Sequence, residues 1–447
     1  RFLGSFLDAW FHLGRYAEVV AEVERWQERH LLNGSLANEA GRACLDLDRG
    51  EEGLKWIRRA MELAPDNSKY ADNYAVAFGR AGRHEDGIRA AKQRLASSGS
   101  PDRRRLLASI GIDHTCLGQH EEALKFYRQA FVEFPESDDT LVNLVVGLNW
   151  LDRYDETVAL AQSQREARGT MKPQRFWAEF SWALHKTARL VEEENVAREW
   201  GRHYPHDPDA VRATKRALND LKRPEEALAF VRTWVDAHPE VAWGWRYLAE
   251  QNEMCENKAG EVAAIAEASR LLPGSPDFKD SQLVTLRRIG RAQEAMEIGI
   301  AWDRAFPGRA STSLLNRIGL AADDVEQWQT AEAYYRRAQE AEPAESTWTG
   351  NLMRALVCQK RAGEAAERGR AWLAANPWHG YVVLKLAWAL READLLPEET
   401  TTLRSAIEKE PLDEELHYAL LTNLITRKLY DEAAAFIAHC HTSGIAR

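Results

Sequence analysis

The sequence predicts an all-α protein, a solenoid of antiparallel helix pairs from end to end with no β-strand longer than three residues. Three observations predict it. Prolines recur at a nearly constant interval, a turn signal falls at every half-interval, and two core columns exchange volume from one interval to the next. At 447 residues the chain also exceeds the ~250–300 residues at which a single core stops growing.

The interval comes first. Pro205, Pro239, Pro273 and Pro307 are each 34 residues apart, and Pro343, Pro377 and Pro411 follow at 36, 34 and 34. Upstream, Pro65, Pro135 and Pro205 are separated by 70, and intermediate units without the proline end near Gly99 and Gly169. Proline lacks an N–H and cannot continue a helix, so it closes the second helix of each unit. Asp66, Asp139, Asp209, Asp277 and Asp413 then offer acceptors where the next helix begins.

Within one unit, Gly118–Gln119–His120–Glu121–Glu122–Ala123–Leu124–Lys125–Phe126–Tyr127–Arg128–Gln129–Ala130 and Pro135 spell a turn and a second helix, with small Gly111 in the first helix where the two approach. The unit ending at Pro343 repeats this with Gly319, Trp328, Ala331, Tyr335 and Ala338; the one ending at Pro65 has Gly41, Gly53, Ile57 and Ala60. On these residues the chain resembles the tetratricopeptide repeat family along its whole length, as about thirteen degenerate units of a ~34-residue helix–turn–helix repeat. The units run approximately 1–33, 34–67, 68–101, 102–137, 138–172, 173–207, 208–241, 242–275, 276–310, 311–345, 346–379, 380–413 and 414–447 of one solenoid. The resemblance implies a right-handed superhelix whose concave groove is lined by the first helices. A lone pair cannot bury both apolar faces, so each unit depends on its neighbours.

The volume exchange tests that register. Late in the second helix stand Ala60, Ala130, Ala268, Ala338 and Ala406, preceded three residues earlier by Ile57, Tyr127, Ile265, Tyr335 and Leu403. In the other units the small residue is Trp26, Trp200, Trp234, Trp302 or Trp372, and the earlier one shrinks to Val23, Ala197, Val231, Gly299 or Gly369. Residues three apart share a helix face, and a densely packed interior conserves total volume. Trp200, Trp234, Trp302 and Trp372 are therefore expected to be buried between units.

No apolar run reaches the ~18 residues of a membrane span, and a net charge of −10 argues against general nucleic-acid binding, although a local basic patch is compatible with it. The five cysteines (Cys44, Cys116, Cys255, Cys358, Cys440) are scattered without a CxxC pair, which reads as free thiols in a reducing, cytoplasmic setting. Cys440 falls in the small core column, and the other four fall late in first helices as buried small residues. The chain opens at Arg1 inside a helical pattern, with no signal peptide, and reads as a piece of a longer protein.

No phosphate loop, nucleophile elbow, HExxH or paired-Cys pattern is present, so no catalytic residue, metal or cofactor is expected. His439–Cys440–His441 reads as core plus surface, and His203 with His206 as a solvated turn. Arg103–Arg104–Arg105 and Glu192–Glu193–Glu194 read as solvated helix faces. The Asn33–Gly34–Ser35 acceptor pattern is short enough to arise by chance.

Two functions of the family leave sequence marks. The clamp for acidic chaperone tails needs lysines, asparagines and arginine along successive first helices. Here Val76, Ile112, Val146, Trp182, Arg216 and Glu250 hold the central first-helix positions, so that role is not expected. The asparagine ladder of sugar-transferring relatives is met by Asn73, Asn143 and Asn351 but broken by Ser109, Glu179, Ala213, Ser281 and Lys385.

What remains is a non-catalytic scaffold that docks a protein or peptide, with membership of a larger complex in keeping. The alternatives are the recognition arm of a larger enzyme (glycosyltransferase, kinase or caspase-like peptidase) and a nucleic-acid-binding solenoid. First-helix residues facing away from the helix partner line the family's groove. In the central units these are Trp182, Arg212, Arg216, Trp243, Arg246, Arg287 and Arg288, interspersed with Asp209, Glu250, Asp277 and Asp280. Arginine forks beside exposed aromatics are enriched at binding hot spots and suit an acidic segment.

Overall fold

The computed structural model describes residues 7, 9–97, 102–169, 173–376 and 378–442; Gly99, Pro101 and Pro377 lie outside them. The chain divides into two compact units, Arg1–Arg223 and Pro224–Arg447. The first contains α1 (Tyr16–Glu28), α2 (Gly34–Asp46), α3 (Gly50–Leu63), α4 (Ser68–Arg80), α5 (His84–Ala96), α6 (Arg103–Cys116), α7 (His120–Glu133), α8 (Asp138–Trp150), α9 (Tyr154–Arg168), α10 (Gln174–Lys186), α11 (Leu190–His203) and α12 (Pro208–Asp220). The second contains α13 (Pro224–Ala237), α14 (Ala242–Met254), α15 (Lys258–Leu271), α16 (Pro276–Arg288), α17 (Ala292–Ala305), α18 (Thr312–Asp324), α19 (Trp328–Ala341), α20 (Ser346–Cys358), α21 (Ala362–Ala375), α22 (Gly380–Glu392), α23 (Leu396–Lys409), α24 (Glu414–Thr426) and α25 (Tyr430–Thr442). Even-numbered helices open a repeat and odd-numbered ones close it. No strand occurs among the described residues, and the chain is an all-α helical repeat solenoid.

The half-interval turn has one geometry throughout. Two residues past each first helix from α2 to α24 the backbone enters the left-handed region, at Gly82, Gly118 and Gly290 but also at Asp48, Asp152, Ala188, Lys222, Glu256, Glu326, Lys360, Asp394 and Lys428. The next N–H reaches back to the carbonyl five residues earlier, as from Arg49 to Cys44 at 2.8 Å and from Arg361 to Leu356 at 2.9 Å. This bond satisfies an orphan carbonyl at the helix end. Its recurrence over-determines the turn, which is why non-glycine residues are tolerated there. Pro65, Pro135, Pro205, Pro239, Pro273, Pro307, Pro343 and Pro411 each stand two residues beyond a second helix.

The helix starts differ from expectation. Asp413 caps α24, accepting from the N–H groups of Glu415 (2.9 Å) and Leu416 (3.1 Å). Asp139, Asp209 and Asp277 instead lie inside the first turns of α8, α12 and α16, and Asn67 and Asp207, not Asp66 and Asp209, cap α4 and α12. The chain enters these helices one or two residues away from the aspartate. A first-turn carboxylate keeps a favourable interaction with the helix dipole without capping.

Within each unit second helices pack on the first helices flanking them, and successive first helices also touch, as α2 with α4, α4 with α6 and α10 with α12 in one unit, and α20 with α22 and α22 with α24 in the other. Each unit therefore presents a face built of first helices. The volume exchange holds inside. Ile57, Tyr127 and Tyr335 are buried where Gly41, Gly111 and Gly319 leave no side chain, and a Cβ on any of these glycines would overlap them. Trp26, Trp200, Trp302 and Trp372 are buried beside small Val23, Ala197, Gly299 and Gly369. The Trp302 and Trp372 indole N–H groups donate to the carbonyls of Pro273 (2.6 Å) and Pro343 (3.0 Å), tying each second helix to the preceding proline turn.

Trp234 departs from this set. It is half-buried, its ring lying over Gly244, while neighbouring Val235 is fully buried. The missing Cβ at the start of α14 gives the ring a surface shelf instead of an interior slot.

Two further expectations are corrected. Glu193 and Glu194 are buried, not solvated, because Glu193 is the fourth residue of its second helix and faces the helix partner. That column elsewhere holds Gly53, Gly87, Ala123, Thr157, Ala227, Ala295, Ala331 and Ala365. Among the cysteines, Cys44 and Cys440 are buried, whereas Cys255 and Cys358 are half-buried and Cys116 is exposed. Those three sit at the ends of first helices, where the turn opens to solvent. Burial, followed by the nearby Glu52 carboxylate, pushes the Cys44 thiol up to about 12.

Candidate partner-binding site

The seven positions expected to line a groove all lie on first helices, α10 and α12 in one unit and α14 and α16 in the other. In the first unit Trp182 is 38% exposed. His185 stacks on it at 5.5 Å, and the Lys186 ammonium and Arg216 guanidinium lie 4.7 and 5.3 Å from its ring centre. The Arg216 fork also donates to Glu193 at 2.9 and 2.5 Å, and His185 Nδ1 lies 3.3 Å from the same carboxylate. Burial raises the Glu193 pKa, with Arg216 and then His185 pulling it back. Arg212 pairs at 2.9 Å with Asp209, both exposed.

In the second unit Trp243 is 42% exposed, edge-on to Phe278 at 5.0 Å, with the Arg246 guanidinium 5.2 Å from its ring centre. Arg246 stands 3.4 Å from Glu250. Arg287 pairs with Asp324 at 2.7 Å; Arg288 bonds the buried Glu261 carboxylate and lies 3.4 Å from Glu253. The bond to Glu261 raises the Arg288 pKa, with desolvation opposing.

All five arginines therefore hold a carboxylate of their own unit, and the five divide by what that carboxylate does. The Arg212 pair is exposed and the Arg246 pair half-exposed, and both contribute little to stability. Arg216 and Arg288 neutralise buried glutamates, and removing either would strand a charge in the interior. The groups free to engage a partner at low cost are the two tryptophan faces and the forks of Arg212 and Arg246.

The glutamate column escaped the sequence reading. Glu193, Glu261 and Glu399 are buried in the column that elsewhere is mostly glycine or alanine, and Glu399 is held by Arg391 at 2.5 Å and by Asn423 at 2.7 Å. Their signal was available as outliers in an aligned column. The partner arginines follow no fixed spacing, so the pairing itself could not be read. A second recurrent device, an arginine before the second helix bonded to an acid three residues on, also went unread: Arg49 with Glu52, Arg83 with Asp86, Arg189 with Glu192 and Arg361 with Glu364.

No family model and no curated protein matches the chain. Among solved structures it is similar to a chain of "Crystal structure of APC/C hetero-tetramer Cut9-Hcn1", at TM-score 0.37 and 12% identity, over 94% of this chain and 95% of that one. At that score the likeness carries no functional argument. No helix among the described residues is long and apolar enough to cross a membrane.

Proposed function

We propose that this chain is a non-catalytic scaffold of tetratricopeptide type that docks a protein or peptide on its first-helix faces. One observation carries the reading: Trp182 and Trp243 leave large aromatic surface open on first helices, each with a cationic side chain packed on its ring. Rigid aromatic faces beside guanidinium groups are the residue types most enriched where binding energy concentrates. The reading requires no nucleophile, base or cofactor.

The test places a photo-crosslinking amino acid at position 182, at 243 and, as a control, at Val132, a 77% exposed residue of the second helix α7. In extract of the native cell, positions 182 or 243 should capture a discrete protein adduct that position 132 does not. The same adduct pattern at all three would sink the reading.

A further inference from the structure

In the second unit a cavity of 410 Å³ lies over the start of α16, between the second helices α15 and α17, with Ser269, Lys279, Gln282, Trp302 and Phe306 in its wall. We propose that it binds a small monocarboxylate with an apolar body, the carboxylate on the Lys279 ammonium and the body along Trp302 and Phe306.

Lys279 is out of place in its column. It is the fourth residue of its first helix, and in the other first helices the corresponding residue is apolar, as at the buried Ala37, Leu141, Trp177, Val211, Leu315 and Val383, except for Thr349 and His417. Those two are satisfied inside the fold. Thr349 accepts from Gln339 at 2.8 Å, and His417 Nδ1 lies 2.7 Å from the Asp413 carbonyl oxygen. Lys279 is half-buried and has no ion pair among the described residues; its ammonium donates to the Gln282 amide oxygen at 2.8 Å. An ammonium has three donors, so two remain for the cavity. Desolvation lowers the Lys279 pKa, and no neighbouring charge acts against it. A charge taken from water without a counter-ion disfavours the fold that holds it, and a bound carboxylate supplies the missing partner.

The residue facing Lys279 is unsatisfied as well. Ser269 is the twelfth residue of α15, the place that Gln339 holds in α19, and the Gln339–Thr349 bond shows that this place meets the Lys279 position across consecutive helices. Ser269 is buried, and its hydroxyl has no hydrogen-bond partner among the described residues. Cation and hydroxyl thus stand in one cavity without pairing to each other. The wall beside them is apolar, because the Trp302 indole N–H is already committed to the Pro273 carbonyl at 2.6 Å. Polar donors beside an aromatic wall select an acid with an apolar body, and a volume of 410 Å³ falls within the ~300–1,000 Å³ of small-molecule sites. One ammonium matches one negative charge; a doubly charged phosphate would bring in a second that nothing there offsets.

The test titrates the full chain with octanoate and with octanamide, its neutral analogue, followed by calorimetry. Saturable uptake of octanoate is expected, with octanamide at least ~10-fold weaker, since one charge-assisted bond is worth at least a decade. Lys279→Met should bring octanoate down to the level of octanamide. Lys125→Met, which alters an exposed pair with Glu122, should change nothing. No saturable uptake of octanoate, octanamide bound as tightly, or uptake unchanged in Lys279→Met while its circular dichroism stays native overturns the proposal. Should Lys279→Met fail to fold, Ala301→Glu decides, at an exposed residue of the cavity wall. A carboxylate there should weaken octanoate and spare octanamide, and octanoate uptake unchanged by it overturns the proposal equally. The crosslinking outcome at positions 182 and 243 does not bear on this one, so the two readings fail separately.

Discussion

Replacing Trp302 by alanine empties one of the interior slots that the volume exchange creates. The side chain is 5% exposed, and an aromatic of this size buries ~150–250 Å². At ~25 cal/mol per Å² that is about 4–6 kcal/mol. Compactness of the unfolded chain removes 10–40% of it, leaving about 3–5 kcal/mol, the usual range for emptying a large aromatic site. Collapse of the slot is hindered, because the next first helix, α18, already closes on Gly299, where a Cβ would stand 2.6 Å from Ile318 Cγ1. Losing the indole bond to Pro273 adds about 1 kcal/mol; Trp302→Phe isolates that component because it keeps most of the ring. In a repeat array the loss is local, so the assay is amide hydrogen exchange resolved by peptide. Exchange in α16, α17 and α18 should accelerate ~10³-fold, at 1.4 kcal/mol per decade, while α2–α6 keep their protection. Protection in α16–α18 within threefold of the parent would refute the packing argument.

Arg216→Ala should cost about 2–3 kcal/mol at pH 7, a buried-pair penalty discounted because Arg216 is 28% exposed, and measured as a fall in the chemical-denaturation midpoint. Glu193 already has a raised pKa, and losing its cation raises it further; stability from such a group is full below the unfolded carboxylate value and lost as pH climbs through the folded one. The variant's deficit should therefore grow from pH 4 to pH 7, and a deficit independent of pH would contradict the assignment. Ala188, at φ 56°, should gain about 0.5–1 kcal/mol on replacement by glycine, relief of ~1–2 kcal/mol of left-handed strain less ~0.4–1 kcal/mol of unfolded-chain entropy. An unchanged or lower melting temperature would count against the shared turn geometry.

The fold was legible because its signals are repeated many times: a turn in each unit and, in most, a proline stop and a small–large pair. Errors in one unit are corrected by the next. Trp234 shows the limit of that averaging, since a column says what size fits and only the local neighbour, Gly244, says whether the slot is closed. The site was less legible. Sequence placed Trp182, Trp243 and the arginines on first helices, where they lie, yet it could not separate Arg216, which neutralises buried Glu193, from Arg212, which pairs at the surface. That distinction depends on burial of the partner, and the partner lies 23 residues away in one case and three in the other.

The bonds from Trp302 to the Pro273 carbonyl and from Trp372 to the Pro343 carbonyl give the second unit a direction. Each of these two repeats leans through its indole on the one before it. Trimming repeats from the C-terminal side leaves whichever of these two indoles remains with its acceptor. Trimming from the N-terminal side past Pro273 or Pro343 strips an acceptor from a buried N–H and bares the ring that it oriented. Such a row of repeats shortens gracefully from one end only, and unravelling begun upstream has a ready path into the next repeat.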